Sequence, residues 1–399
     1  MFKYYKNNKT VTYEQAISLY KMMASHHKRL TLLEKGPSDS GEPLHLAVLD
    51  SDGYSTPEAI RNAGKAIIMV NNAIHPGEPC GVDASLNLVH DYVDDMRDLP
   101  LENVSLVVIP VYNIGGAMNR GCCSRANQNG PEAYGFRGNA RNLDLNRDFV
   151  KADSRNARSF AQIFREWDPD IFIDNHSTDG SDYQHVMTLI QSHPQNLVSL
   201  LAGFMSETFT PALYDGMKQK SFPMMPYAYP YGVDPATGLA STMDSPRYST
   251  GYASLYQTIG YTSEAHMLKP YEERVEATIA LMTTTIEQAA KHHEKLLEVR
   301  RKAIEKRRSD KNYVLQWKLD STQVEQIEIM GYEAYMDTSA VTGLPIKKYD
   351  PDRPYTRNID FYPRYKPTLE AKAPDYYVVP EGWGEVQKRL DENNVTYSR

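Results

Sequence analysis

A chain of 399 residues, 41% of them apolar, can build a large core in one or two domains. Its net charge of −7 argues against bulk attraction to nucleic acid, and no apolar run reaches the ~20 residues needed to span a bilayer. The three cysteines, Cys80, Cys122 and Cys123, are too few and oddly numbered for a disulfide framework. Three buried free thiols are expected. A single bridge from Cys80 to Cys122 or Cys123 is the alternative, since sequence neighbours rarely bridge one another. The first ten residues have no apolar core and do not read as a signal peptide. A leader removed earlier would leave the same start, so the compartment stays open, with a periplasmic or secreted protein among the options.

Short β-rich apolar runs alternate with helical patterns along the first three quarters of the chain. Thr12–Leu30 predicts a helix, with Thr12 as N-cap and Gln15 completing a capping box. Strands are expected at Leu44–Leu49 and Ala66–Asn71. Val82, Leu86, Val89, Val93 and Met96 then place an apolar stripe on a second helix. Val104–Val111 predicts a strand, Ser154–Trp167 a helix, and Ile171–Asn175, His185–Ile190 and Ile259–Ser263 three more strands. One long helix is expected from about Tyr271 to Arg308, ending in a solvated basic stretch. This alternation predicts an α/β fold whose sheet is mostly parallel, with helices on both faces. After residue 310 Pro, Tyr and Asp rise and helical periodicity fades until Glu385–Leu390. The expected division is residues 1–310 as the main domain and 311–399 as a smaller, mainly β appendage.

The chemistry-bearing residues gather at predicted strand ends. His75-Pro-Gly-Glu78 follows the strand at Ala66–Asn71, so an imidazole nitrogen and a carboxylate oxygen can reach one cation. By itself the tetrapeptide is also an ordinary turn. His176 ends the strand that starts at Ile171, and in open α/β sheets ligands bind beyond the carboxyl ends of strands. Glu264 ends another strand, where a carboxylate can take a proton from water and pass it to a leaving amine. The stretch from Gly135 to Phe149 is dense in Arg and Asn, the side chains that bind carboxylates and donate from amides.

Taken in order, His75-x-x-Glu78, Asn146-Arg147, His176-Ser177 and Glu264 resemble the zinc carboxypeptidase family. Residues 135–149 are similar, without gaps, to the pattern Gly-x-Arg-x-Asn-Ala-x-Gly-Val-Asp-Leu-Asn-Arg-Asn-Phe of its bacterial branch. They depart from it at Asn142, Leu143 and Asp148. The likeness covers about residues 10–300. It implies one Zn2+ per chain held by His75, Glu78 and His176, with Glu264 as general base and acid. It places Arg137 on the arginine that polarises the scissile carbonyl, though Arg125 and Arg141 are close enough to compete. It places Asn146 and Arg147 on the pair that holds the substrate's terminal carboxylate. A substrate-facing tyrosine is expected among Tyr248, Tyr252 and Tyr256, with Tyr252 preferred because Gly251 frees its loop.

The reading is therefore a zinc metallocarboxypeptidase acting on a peptide or peptide-like substrate with a free carboxylate. It needs no nucleic acid and no membrane span. Two alternatives keep the site: an amidase or deacylase acting on murein peptides or acyl amino acids, and a non-catalytic binding module.

Overall fold

The computed structural model describes residues 3–398 apart from residues 228, 233 and 394. Thr12 caps the helix Tyr13–His26 with its hydroxyl on the Gln15 amide, and the Gln15 side chain returns to the Thr12 amide, so the capping box forms. That helix ends early. The next residues enter strand β1 (Leu30–Pro37), which pairs antiparallel with β2 (Pro43–Leu49). No strand was expected there; β1 begins at Leu30, where the predicted helix was to end.

The main sheet continues with β3 (Ala66–Asn72), β4 (Val104–Ile109), β5 (Ile171–Thr178), β6 (Met187–Gln191), β7 (Met225–Pro226) and, beyond the two-residue β8 (Leu239–Ala240), β9 (Ile259–His266). Its order is β1-β2-β4-β3-β5-β9-β6-β7. The central strands β4, β3, β5 and β9 run parallel, and β2 and β6 flank them antiparallel. Strands β3 and β4 read as nearly continuous apolar runs because both sheet faces are covered, while β5 and β9 turn polar towards their carboxyl ends. Strand periodicity shows the two covered faces on β5. Phe172 packs on Phe160 of the helix Arg155–Trp167, whereas Asn175 points the other way, to Met282 of the helix Tyr271–Lys291.

The strand order decides where a site can form. The chain steps from β3 to β4 on one side and then crosses to β5 on the other. The carboxyl ends of β3 and β5 therefore flank a topological switch point, where a crevice opens. The helix Cys80–Val93 starts beside it, against Asn72 and Asn175. It comes so close that a Cβ on Gly81 would collide with the Asn72 and Asn175 side chains.

The long predicted helix is two helices, Tyr271–Lys291 and His293–Ser309, parted at His292 (φ −114°). Its stripe residues Val275, Met282, Ile286, Ala289 and Leu296 are nevertheless buried. A helical insert over Ser199–Gln219, not anticipated, follows β6. The C-terminal segment is mainly β, with β10 (Asn312–Leu319) paired to β13 (Tyr365–Lys372) and β11 (Glu325–Thr338) paired to β12 (Pro345–Tyr362). It is docked rather than loose. Strand β12 adds β8 to its sheet, and Ile329 and Ile359 share a small core with Tyr183, Met225 and Leu239.

The cysteine expectation is corrected. Cys122 and Cys123 lie exposed in a loop and are bridged to one another, and only Cys80 is a buried free thiol.

Candidate metal centre and substrate cleft

His75 and Glu78 sit on the turn that leaves β3, and His176 lies on β5. One ligand atom from each falls within 4.8 Å of the other two, and all three residues are buried. The two Glu78 oxygens divide between the rings: Oε1 is 3.1 Å from His75 Nδ1, and Oε2 is 3.1 Å from His176 Nδ1. The turn can be this tight because residue 77 has no side chain, since a Cβ there would lie 2.9 Å from Arg125 Cδ.

Each ring nitrogen facing away from the cluster meets a carboxylate. His75 Nε2 is 3.0 Å from Asp144 Oδ1, and His176 Nε2 is 3.1 Å from Asp174 Oδ2. These contacts keep the Nε2 protons in place and turn both Nδ1 atoms to the cluster, where a bound cation would replace the protons they share with Glu78. Two imidazole nitrogens and one carboxylate oxygen, each ring fixed by an outer carboxylate, form the donor set of a catalytic zinc with a fourth position open. The residues fit that ion.

Charge is balanced closely here. Burial works against ionising Glu78, but the charges of His75 and Arg125 and hydrogen bonds from both rings hold its carboxyl well below the usual range. Burial also works against a charge on Asp144, and the His75 hydrogen bond with the His75 and Arg137 charges outweighs it. The His176 ring is pushed well up despite its burial, by the charge and hydrogen bond of Asp174 and then by Glu78.

The cluster opens on a cleft of about 430 Å3. Glu264 on β9 stands directly opposite His176 in the sheet register and lines this cleft. Burial pushes its carboxyl up to about 8, partly offset by the His176 charge. Arg125, Arg137, Asn146 and Arg147 line the cleft as well. Arg137 bonds Asp144 Oδ2 through Nε at 3.1 Å and Nη2 at 2.9 Å. Arg125 reaches Glu78 Oε1 at 2.5 Å and the Ser177 carbonyl at 3.0 Å, and it is steadied by Gln128 at 2.9 Å. Arg141, the other competitor, is exposed and turns instead to the Asp153 carbonyl. Asn146 Oδ1 is buried without a hydrogen-bond partner among the described residues.

Tyr252 does not face this cleft. It is fully buried among Phe149, Phe160, Phe164 and Tyr256. Gly251 serves close packing rather than freedom, because a Cβ there would strike the Ser245 carbonyl. Of the three candidates Tyr248, Tyr252 and Tyr256, Tyr248 lines the cleft, beside Tyr227 and Tyr229, and its ring lies 4.7 Å from the Arg147 guanidinium.

Asp174 and Asp144 were both visible in the sequence but had no assigned part. A signal for Asp174 existed: a carboxylate two residues before a histidine shares its face of a strand. Asp144 reaches His75 only through folding of the 135–149 loop, which no local period reveals.

Comparison with known proteins gives the family and the fold. The profile of the family described as "Zinc carboxypeptidase" matches residues 17–313. No curated protein sequence matches the chain. Among solved structures, a carboxypeptidase A from Helicoverpa armigera is similar at 16% identity and TM-score 0.53, over 72% of this chain and 75% of that one. A metallo-carboxypeptidase from Pseudomonas aeruginosa, in complex with (2-guanidinoethylmercapto)succinic acid, is similar at 16% identity and TM-score 0.52, over 72% and 70%. One from Burkholderia cenocepacia reaches TM-score 0.51 at 16% identity, over 71% and 70%. At these identities the likeness establishes the fold. Among the described residues, no helix is long and apolar enough to cross a membrane.

Proposed function

The chain belongs to the zinc carboxypeptidase family, a family of metallopeptidases, and we propose that it removes the C-terminal residue of a peptide by metal-assisted hydrolysis. The observation that carries this reading is the set His75, Glu78 and His176, with both outer ring nitrogens tied to carboxylates and Glu264 opposite. Residues 1–310 carry the catalysis, and one Zn2+ per chain is held by the three ligands.

When bound there, zinc supplies Lewis acidity, polarising a carbonyl and making water a stronger acid. The chain's own residues do the rest. Glu264 takes a proton from the attacking water as its oxygen bonds to the amide carbon. It then gives that proton to the amine nitrogen as the C–N bond breaks. Burial raises its carboxyl, the direction that helps it hand the proton on to the leaving amine. Arg137 donates to the oxygen that gains charge, where one placed donor is typically worth about 3–4 kcal/mol. Asn146 and Arg147 hold the terminal carboxylate, and Tyr248 closes over the same end of the substrate. Holding that end this way converts binding energy into orientation of the scissile bond.

The test is metal analysis of the purified protein with assays on blocked dipeptides, acyl amino acids and murein peptides, before and after chelation. One zinc per chain is expected, with peptide cleavage that chelation abolishes and zinc restores. Cleavage that persists in metal-free protein would overturn the reading.

A further inference from the structure

Two arginines enter the cleft beside the metal ligands, and they are held differently. The Arg137 side chain is 45% exposed, whereas that of Arg125 is 14% exposed. Arg125 spends all three guanidinium nitrogens on the protein. Nη1 donates to Glu78 Oε1, Nη2 to the Ser177 carbonyl and Nε to Gln128 Oε1. Gln128 in turn donates to the Gly77 carbonyl at 2.9 Å. The side chain therefore ties the turn that carries Glu78 to the end of β5, one residue past His176.

The loop that delivers Arg125 is itself fixed from several sides. The hydroxyl of the buried Tyr134 accepts from the Cys123 amide at 3.0 Å and from the Arg125 amide at 3.3 Å. The Gly135 amide donates to the Pro76 carbonyl at 3.0 Å, inside the ligand turn. The Asn129 amide donates to the Met267 carbonyl at 2.8 Å, just past the end of β9. The fully buried Arg274 donates to the Asn129 carbonyl at 2.7 Å. One loop thus joins the segments that bear His75 and Glu78, His176, and Glu264.

The consequence falls on the Glu78 carboxylate. An ionised carboxylate offers two oxygens and about four lone-pair directions. Oε1 accepts from Arg125, and Oε2 accepts from the Ser177 amide at 2.8 Å. Each oxygen keeps a direction towards the ring beside it, Oε1 to His75 and Oε2 to His176. With both outer directions taken, the group cannot swing without breaking a buried, charge-assisted hydrogen bond. Charge alone does not account for an arginine here, because a guanidinium repels a cation bound to the same carboxylate. What it adds is direction. Its planar fork fixes three bonds at once, which an ammonium on a flexible stem cannot do.

We propose that Arg125 is a positioning residue for the metal ligand Glu78: its fork sets the carboxylate plane that a cation meets, and Arg137 is left free for the substrate. The proposal rests on the metallopeptidase reading above. Its test uses the full-length protein and Arg125→Lys, which keeps the positive charge and loses the fork, so that a change in metal binding reports direction rather than charge. Zinc dissociation constants come from chelator competition, and urea unfolding in EDTA reports the stability of the metal-free protein. The folded variant should bind zinc at least about tenfold more weakly, the usual effect of removing an outer partner of a ligand. The visible bands of the Co2+-loaded protein, which follow ligand geometry, should change with it. Gln128→Leu frees the Arg125 Nε and alters no charge; it should act in the same direction by a smaller factor, and it carries the test if Arg125→Lys does not fold. Unchanged zinc affinity and cobalt bands in the folded variants overturn the proposal. So does a loss of metal-free stability alone, which would make Arg125 a loop anchor. A fall in kcat with zinc binding intact also overturns it, because Arg125 would then be the oxyanion donor. If the wild type binds no zinc, the metallopeptidase reading itself fails and takes this one with it.

Discussion

Replacing Asp174 by asparagine keeps the shape of the side chain and removes one charge and one acceptor oxygen. Asp174 is fully buried and serves two donors: Asn71 Nδ2 at 2.9 Å on Oδ1, and His176 Nε2 at 3.1 Å on Oδ2. Asparagine has a single oxygen. If that oxygen keeps Asn71, its own NH2 faces the ring N–H of His176; if it flips, the clash moves to Asn71. Either way one buried donor loses its acceptor, at roughly 1–3 kcal/mol. The His176 ring is then free to turn, or to carry its proton on Nδ1, the atom the metal needs. An outer partner of this kind is typically worth about 10–100-fold in metal affinity, or about 1.4–2.7 kcal/mol. The assay is zinc competition against a chromophoric chelator at neutral pH. Circular dichroism in the presence of EDTA reports separately whether the metal-free variant is folded. The expected result is a folded variant that binds zinc at least about tenfold more weakly. A folded variant that binds zinc as tightly as the wild type would refute the idea that Asp174 orients the ligand.

Glu264→Gln should retain zinc and lose about 10²–10⁴-fold in kcat, the usual contribution of a positioned acid–base group; wild-type turnover would remove Glu264 from the reaction. Tyr252→Ala should destabilise the fold by about 3–5 kcal/mol in chemical denaturation, as buried aromatic truncations do. Tyr248→Phe should leave stability alone and change KM or kcat, and the reverse pattern would return Tyr252 to the substrate. His193 is buried with its ring pushed down to about 4, so the unfolded chain binds its proton first as pH falls. Its contribution is fully present above about pH 6.5 and is lost as pH drops towards 4, by up to about 3 kcal/mol. His193→Gln should flatten that part of the stability–pH curve, and equal slopes in both proteins would exclude the effect.

Much of the fold was legible because its signals are local. The Thr12–Gln15 box, the apolar runs of β3, β4, β5 and β9, and the stripe through Val275 and Met282 each arise from residues a few positions apart. The break at His292 was not legible, because the apolar stripe runs through it. The strand β1 was missed because a helix-like stretch preceded it. The exposed Cys122–Cys123 bridge ran against the ordinary rule for neighbours.

The candidate site divides the same way. The order His75, Glu78, Asn146, Arg147, His176 and Glu264 is written in the chain, each at or near a strand end or in one compact loop. Read with the family resemblance, their residue types point to a metal, a base and a carboxylate partner. What the linear order could not hold is which of several like side chains arrives. Tyr248 rather than Tyr252 lines the cleft, and Arg137 and Arg125 enter it while Arg141 does not. Asp144 and Asp174 become partners of the two histidines, and Phe361 comes to wall a cavity beside Ile190. These outcomes depend on the crossing from β4 to β5 and on where the last β segment docks. Both bring together residues far apart in the chain, and neighbouring residues carry no record of such contacts.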